Sequence, residues 1–252
     1  MRDEKPESRE PLIEVRGLHK KFNGKVVHSG IDLKIFKGEI LTLMGGSGSG
    51  KSVLLRCLIG LERPDKGQIL FRGQDITQLD EESLIDVRKQ IAYVFQYGAL
   101  FDSLTIEENL AYPLREHTKT PERTMSKKIK DALSQVGLEG TQNLFPGDLS
   151  GGMQRRVGVA RSIIMGPEVI LYDEPTTGLD PYNTNQILKI ILELKKHGAT
   201  SVLVTHDMSS IFAVTDRVAF LKDGKIRALG TADEIKASSD KDLHGFIRGE
   251  TM

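Results

Sequence analysis

An α/β protein built on a parallel sheet is what this sequence predicts, and three observations carry that reading. Short apolar stretches of strand length, Ile40 to Met44, Val169 to Tyr172 and Ser201 to Thr205, are separated by segments of helical periodicity. Strands alternating with helices pack most simply as a parallel sheet covered by those helices. The first stretch also runs through a glycine-rich loop into an apolar helix, a strand–loop–helix unit of the same class. With 252 residues, 38% hydrophobic and 28% charged, the chain is long enough for one large domain, or two small ones sharing an interface.

The elements follow in order. Met1 to Pro11 is charged and polar, where a signal peptide needs an apolar core. Leu12 to Phe36 alternates apolar and polar residues about Asn23-Gly24, a pair suited to a tight hairpin, so antiparallel strands are expected. After Ile40 to Met44 and its loop, Ser52 to Ile59 is apolar on nearly every side, as a buried helix is. Pro121 opens a helix with Met125, Ile129, Leu133 and Val136 on one face, and Gly137 closes it. Another helix follows Ser150, a natural N-cap. The stripe Ile187, Ile190, Ile191 and Leu194 marks a helix stopped by Gly198. Asp223-Gly224 signals a late hairpin, and from Thr231 onward a short helical tail without a core of its own is expected.

Composition narrows the function classes. The 35 Lys+Arg offset the 35 Asp+Glu, so no net basic field exists to hold nucleic acid by counterion release, and nucleic acid is not expected as a partner. No apolar run approaches the ~20 residues of a membrane span, which makes the chain itself a cytosolic protein by expectation. Cys57, the single cysteine, sits in the apolar run VLLRCLIGL and reads as a buried, inert thiol.

The chemistry concentrates in three places. Gly45-Gly46-Ser47-Gly48-Ser49-Gly50-Lys51-Ser52 fits G-x-x-x-x-G-K-[ST] between a predicted strand and a predicted helix. There successive N–H groups and the helix N-terminus point at phosphate oxygens, Lys51 supplies a point charge and Ser52 a magnesium ligand. Val169 to Glu174 is an apolar strand ending in two carboxylates at the carboxyl edge of a sheet, where ligands bind. Asp173 is the candidate Mg²⁺ partner and Glu174 the candidate base or water-orienting group. Leu149-Ser150-Gly151-Gly152-Met153-Gln154 opens a helix with a glycine pair. Such a pair starts helices poorly, so close approach of an outside group, a phosphate for instance, is expected there.

Taken together, these motifs resemble the nucleotide-binding subunit of an ATP-binding cassette (ABC) transporter over Leu12 to Gly230. By that resemblance Gly45 to Ser52 is the Walker A loop, Asp173 and Glu174 close Walker B, and Leu149 to Met153 is the signature, with Met153 where the family has Gln. Gln96, after Ile91 to Phe95, corresponds to the Q-loop, Thr177 to Asp180 to the D-loop, and His206 to the switch histidine. Phe22 corresponds to the aromatic on which adenine stacks.

The implied fold is a P-loop NTPase with a RecA-like parallel-sheet core, an N-terminal antiparallel β subdomain and an inserted helical subdomain at about 97–160. These form one domain over 12–249, between a polar tail at 1–11 and a short end at 250–252. The implied site holds ATP through Phe22, Gly45 to Ser52, Ser150, Gly151, Gly152 and Asp180, and Mg²⁺ through Ser52, Gln96 and Asp173. Glu174, His206, Gln96 and Lys51 are its catalytic set, and the working form is a homodimer.

A narrower resemblance lies in Phe95 to Phe101, Asn109 to His117 and the LSGGM signature, which are similar to the Mla-type ATPases that work with MCE proteins. It implies phospholipid as cargo, integral-membrane permease subunits, an MCE-type lipid-binding partner, and a peripheral place on the cytoplasmic face of the inner membrane. Tyr97, Leu100 and Phe101 read either as a permease-docking surface or as core of the helical insertion. Another transported substrate such as an amino acid, a non-transport ABC protein, a soluble P-loop kinase and a nucleotide-holding module without turnover are the competing classes.

Overall fold

The structure is a computed structural model that describes residues 10–206 and 212–248. Most of the expected polar tail, up to position 9, and the end at 249–252 lie outside the described residues. Two compact units emerge, one formed by the chain up to Asp86 and from Thr215 on, the other by Val87–Val214.

In chain order the first segment gives β1 (Ile13–Phe22), β2 (Lys25–Ile35), β3 (Ile40–Met44), α1 (Lys51–Leu58), β4 (Lys66–Phe71), β5 (Gln74–Asp75) and α2 (Glu81–Gln90). The middle segment gives β6 (Ile91–Val94), α3 (Ile106–His117), α4 (Glu122–Gln135), α5 (Gly151–Ile163), β7 (Val169–Asp173), α6 (Pro181–Lys196) and β8 (Thr200–Val204). The last gives β9 (Arg217–Lys222), β10 (Lys225–Thr231), α7 (Ala232–Ala237) and α8 (Lys241–Ile247).

In the first unit β2, β1, β4 and β5 form an antiparallel sheet in that order. Its leading hairpin closes with Phe22 opposite Lys25, and Asn23 and Gly24 take φ of 48° and 81°. Positive φ at both turn residues is what a two-residue hairpin of this kind requires, so the Asn-Gly expectation holds. β3 pairs in parallel with β9, and β9 turns through Asp223-Gly224 into antiparallel β10. Every residue of β3 is buried, which accounts for its unbroken apolar run.

The tail after Thr231 is helical, as expected, and folds as α7 and α8. Without a core of its own, it buries Ile235 and Leu243 and sets the Phe246 ring 5.5 Å from that of Phe220 in β9.

In the second unit β6, β7 and β8 run parallel, with Val94 opposite Tyr172 and Tyr172 opposite Leu203. β7 and β8 are buried almost throughout, and α6 covers them with Ile187 and Ile191 fully enclosed. α3 to α5 occupy the stretch expected to be helical, α5 running on to Ile163. Parallel pairing places the carboxyl ends of β6 and β7 side by side, which brings Gln96 and Asp173 to one edge of the sheet.

Candidate functional site

The phosphate loop belongs to the first unit. β3 delivers the chain to Gly45, where a Cβ would stand 2.3 Å from the Leu221 carbonyl oxygen, so only glycine lets the loop pass the end of β9. The loop closes on the buried Lys51, whose ammonium donates to the Gly45 and Gly46 carbonyls at 2.8 and 2.9 Å. α1 then begins after Gly50, which has no side chain to cap it. Behind the loop lies His28, fully buried, its Cε1 2.6 Å from where a Cβ on Gly50 would sit. Burial pulls its pKa down to about 4 from the ordinary 6.5.

A cleft of about 460 Å³ opens over this loop, bounded by Phe22, Val26, Gly46 to Ser49 and the β9–β10 turn. Phe22, at the end of β1, keeps 39% of its surface exposed. The Lys20 ammonium lies 4.7 Å from its ring centroid, fixed by Glu62 at 2.6 Å and the Arg63 carbonyl at 2.7 Å. The cleft thus joins an aromatic face to an anion-binding loop. Ser49 Oγ, buried at that loop without a hydrogen-bond partner among the described residues, is a polar atom that a phosphate would satisfy. A nucleotide triphosphate fits this donor set.

The acidic residues belong to the second unit. Asp173 ends β7, and its Oδ2 accepts from the Tyr93 hydroxyl at 2.6 Å. Glu174 takes φ of 51°, a conformation that costs a non-glycine residue of order 1–3 kcal/mol. Its N–H donates to the Val204 carbonyl at 2.9 Å. Its Oε2 accepts from Thr177 Oγ1 at 2.9 Å and lies 3.5 Å from His206 Nδ1, beyond the end of β8. The Glu174 carboxylate and the His206 ring, proposed from separate motifs, therefore meet. Within this unit Asp173 and Gln96 offer carboxylate and amide oxygens, hard donors of the kind that suit Mg²⁺.

At α5, Ser150 caps the helix by accepting from the Met153 N–H at 3.3 Å. Gly152 has a reason within the chain: a Cβ there would fall 2.3 Å from Asn183 Oδ1. Asn183 in turn donates its N–H to Asp180 Oδ1 at 2.9 Å and its amide to Oδ2 at 2.6 Å, so Asp180 and the signature glycine are joined through it. The backbone bond from Asn183 holds the Asp180 carboxyl below its usual range. Gly151 meets nothing within 4 Å and stays open to an outside group.

Sequence reading missed three supporting residues, Lys20, Tyr93 and Arg155, and gave Thr177 a place in the D-loop but not its bond to Glu174. Tyr93, inside the strand preceding Gln96, signals nothing by residue type. Beyond β6, Tyr97 is 76% and Phe101 45% exposed, while Leu100 is half-buried. Phe101 packs on Tyr112 with ring centroids 5.1 Å apart. The fully buried Asn109 pins this loop, accepting from the Phe101 N–H and donating to its carbonyl.

Residues 28–177 match the ABC transporter family. The ATP-binding protein MlaF of the Haemophilus influenzae intermembrane phospholipid transport system is 39% identical over 95% of this chain and 91% of its own length. A probable ribonucleotide transport ATP-binding protein, mkl, of Mycobacterium leprae is 38% identical over 95% of this chain and 70% of its own length. Among solved structures, the dimeric post-hydrolysis state of the ATP-binding cassette MJ0796 with ADP and phosphate is similar at a TM-score of 0.80. It is 31% identical, over 87% of this chain and 98% of that one. CbiO1 of the Clostridium perfringens transporter complex cbiONQ aligns at a TM-score of 0.83 with 28% identity, covering 95% and 96% of the two chains.

Proposed function

Because this chain belongs to the ABC transporter family and hydrolyses ATP, we propose that it energises phospholipid transport through a separate membrane permease. The observation that carries the cargo assignment is the 39% identity to MlaF, which runs nearly end to end in both chains. The LSGGM signature and the Phe95 to Phe101 wording support it. In this reading residues 12–249 act as one cassette whose helical insertion spans about 97–160.

Adenine stacks on Phe22, and the phosphates lie on the N–H groups of Gly45 to Ser52 with Lys51 as counter-charge. Ser52, Asp173 and Gln96 are the residues that would hold Mg²⁺, which would supply positive charge to offset that of the phosphates during hydrolysis. Glu174 orients the attacking water and accepts its proton, while His206 and Thr177 hold the carboxylate toward it. Ser150, Gly151, Gly152 and Asp180 serve the nucleotide of a second copy, so the working unit is a homodimer. No helix among the described residues is long and apolar enough to cross a membrane, so attachment to the cytoplasmic face of the inner membrane runs through the permease. The exposed Tyr97 and Phe101 supply the docking surface, and an MCE-type protein completes the path.

A second reading, ribonucleotide transport, is favoured by the mkl similarity, which reaches 95% of this chain. Affinity purification of the tagged chain from solubilised membranes, followed by lipid extraction, separates the two. Co-purifying permease and MCE-domain proteins with phospholipid above detergent controls is the expected result. A lipid-free complex whose ATPase rate responds to ribonucleotides would replace the first reading with the second.

A further inference from the structure

Arg155, the fifth residue of α5, is buried and makes no ion pair among the described residues. Its guanidinium instead donates to three carbonyls of the turn after β7: Glu174 at 3.3 Å, Pro175 at 3.1 Å and Thr177 at 3.3 Å. A buried cation satisfied by backbone oxygens alone is costly unless those oxygens are held in place. Here they belong to the turn that keeps Glu174 at positive φ, a conformation that persists only where its surroundings over-determine it.

The same guanidinium lies 5.6 Å from the ring of Tyr97. The segment that carries Tyr97 is pressed onto α5: a Cβ on Gly158 would fall 2.6 Å from Gly98 Cα, and one on Gly98 would fall 3.0 Å from the Gln154 carbonyl. Arg161, two turns further along α5, donates to the Gly98 and Ala99 carbonyls at 3.2 and 2.8 Å. Residues 98 and 99 are therefore packed on and bonded to α5, the helix that carries the arginine contacting the turn.

We propose that Arg155 is a positioning residue that sets the Glu174 turn for hydrolysis and makes its geometry answer to whatever sits on Tyr97. The proposal rests on Glu174 being the water-activating group, as read above. Small displacements of such a group lower turnover by about ten- to a hundredfold without weakening substrate binding.

The test uses the full chain, with kcat, KM, ATP affinity and melting temperature measured for Arg155→Met, Arg155→Lys, Tyr97→Leu and the Arg155→Met/Tyr97→Leu double variant. Arg155→Met should lower kcat by about ten- to a hundredfold while ATP affinity stays within about twofold. Arg155→Lys, which keeps the charge and a donor group but not the planar fork, should recover part of that loss. The double variant should be no slower than Arg155→Met alone, because both changes act through one contact. Normal kcat in Arg155→Met, a parallel fall in ATP affinity and melting temperature, or independent multiplication of the two effects would overturn the proposal. Should Arg155→Met fail to fold, a folded Arg155→Lys with unchanged kcat overturns it equally. Glu174→Gln serves as the control: stalled hydrolysis there with normal Arg155→Met sinks this proposal alone, whereas normal turnover in Glu174→Gln removes the reading beneath it as well.

Discussion

Glu174 Oε2 and His206 Nδ1 lie 3.5 Å apart, with Thr177 Oγ1 donating to the same carboxylate oxygen at 2.9 Å. One carboxylate thus collects groups from the ends of two neighbouring strands, β7 and β8. Its own residue sits in a left-handed conformation that lifts it off the strand direction of Asp173. Two adjacent acids are thereby given different tasks: Asp173 continues the sheet edge and bonds Tyr93, while Glu174 turns toward the histidine.

Glu174→Gln keeps the shape and the Thr177 bond but removes the base. Turnover should fall by about a hundred- to ten-thousandfold, the range of a positioned general base, with ATP affinity retained. The stalled variant should sediment as a dimer in ATP with Mg²⁺ and as a monomer in ADP. Equal dimerisation in both nucleotides would count against the shared-site reading.

Phe22→Ala removes the aromatic face beside the phosphate loop. ATP binding should weaken by about 1–3 kcal/mol, the value of one base stacked on one ring. Inorganic tripolyphosphate, which has no base, should bind as before. Isothermal titration of both ligands separates a lost platform from a damaged loop, since the latter would weaken both.

His28 makes acid stability a readout of the packing behind the loop. Burial holds its folded pKa at about 4 while the unfolded chain takes up the proton near 6.5. Its contribution is therefore fully present above pH 6.5 and is lost as pH falls from 6.5 toward 4, by on the order of 3 kcal/mol. His28→Leu should flatten the melting temperature across that window. An unchanged slope in the variant would place the acid sensitivity elsewhere.

Phe101→Ser should weaken permease binding by up to about 1.5–3 kcal/mol, the worth of one fully buried aromatic at an interface. The free subunit should lose little stability, because Phe101 is 45% exposed and its loop is held by Asn109 and Arg161. Pull-down beside a melting curve checks both, and a large drop in melting temperature would return Phe101 to the core.

Most of the fold was legible because its signals are local. Asn23-Gly24 set one hairpin, Asp223-Gly224 another, and the apolar runs of β3, β7 and β8 announced strands buried on both faces. The short strands β4 and β5 and the helix α2 gave no clear signal, and α3 was legible only as part of the helical insertion. α2 is strongly charged, and α3 carries Pro113 inside it, although its Thr105–Glu108 capping box was readable. Residues with chemical side chains in motifs can be named from the sequence, while those that hold others in place cannot. Arg155 reads in sequence as one more basic residue on a helix, and only the fold reveals the three carbonyls it receives. Gly152 was read as room for a phosphate, and the neighbouring Asn183, thirty-one positions along, could not be seen from spacing.

ATP-dependent transfer of a fluorescent phospholipid, measured in vesicles holding the complete transporter, bears most directly on what this chain does. With the wild-type chain, ATP and Mg²⁺ should drive lipid movement, and with Glu174→Gln the movement should stop while the complex stays assembled. Lipid transfer at the same rate with Glu174→Gln or without ATP, or brisk hydrolysis with no lipid moved, would contradict it.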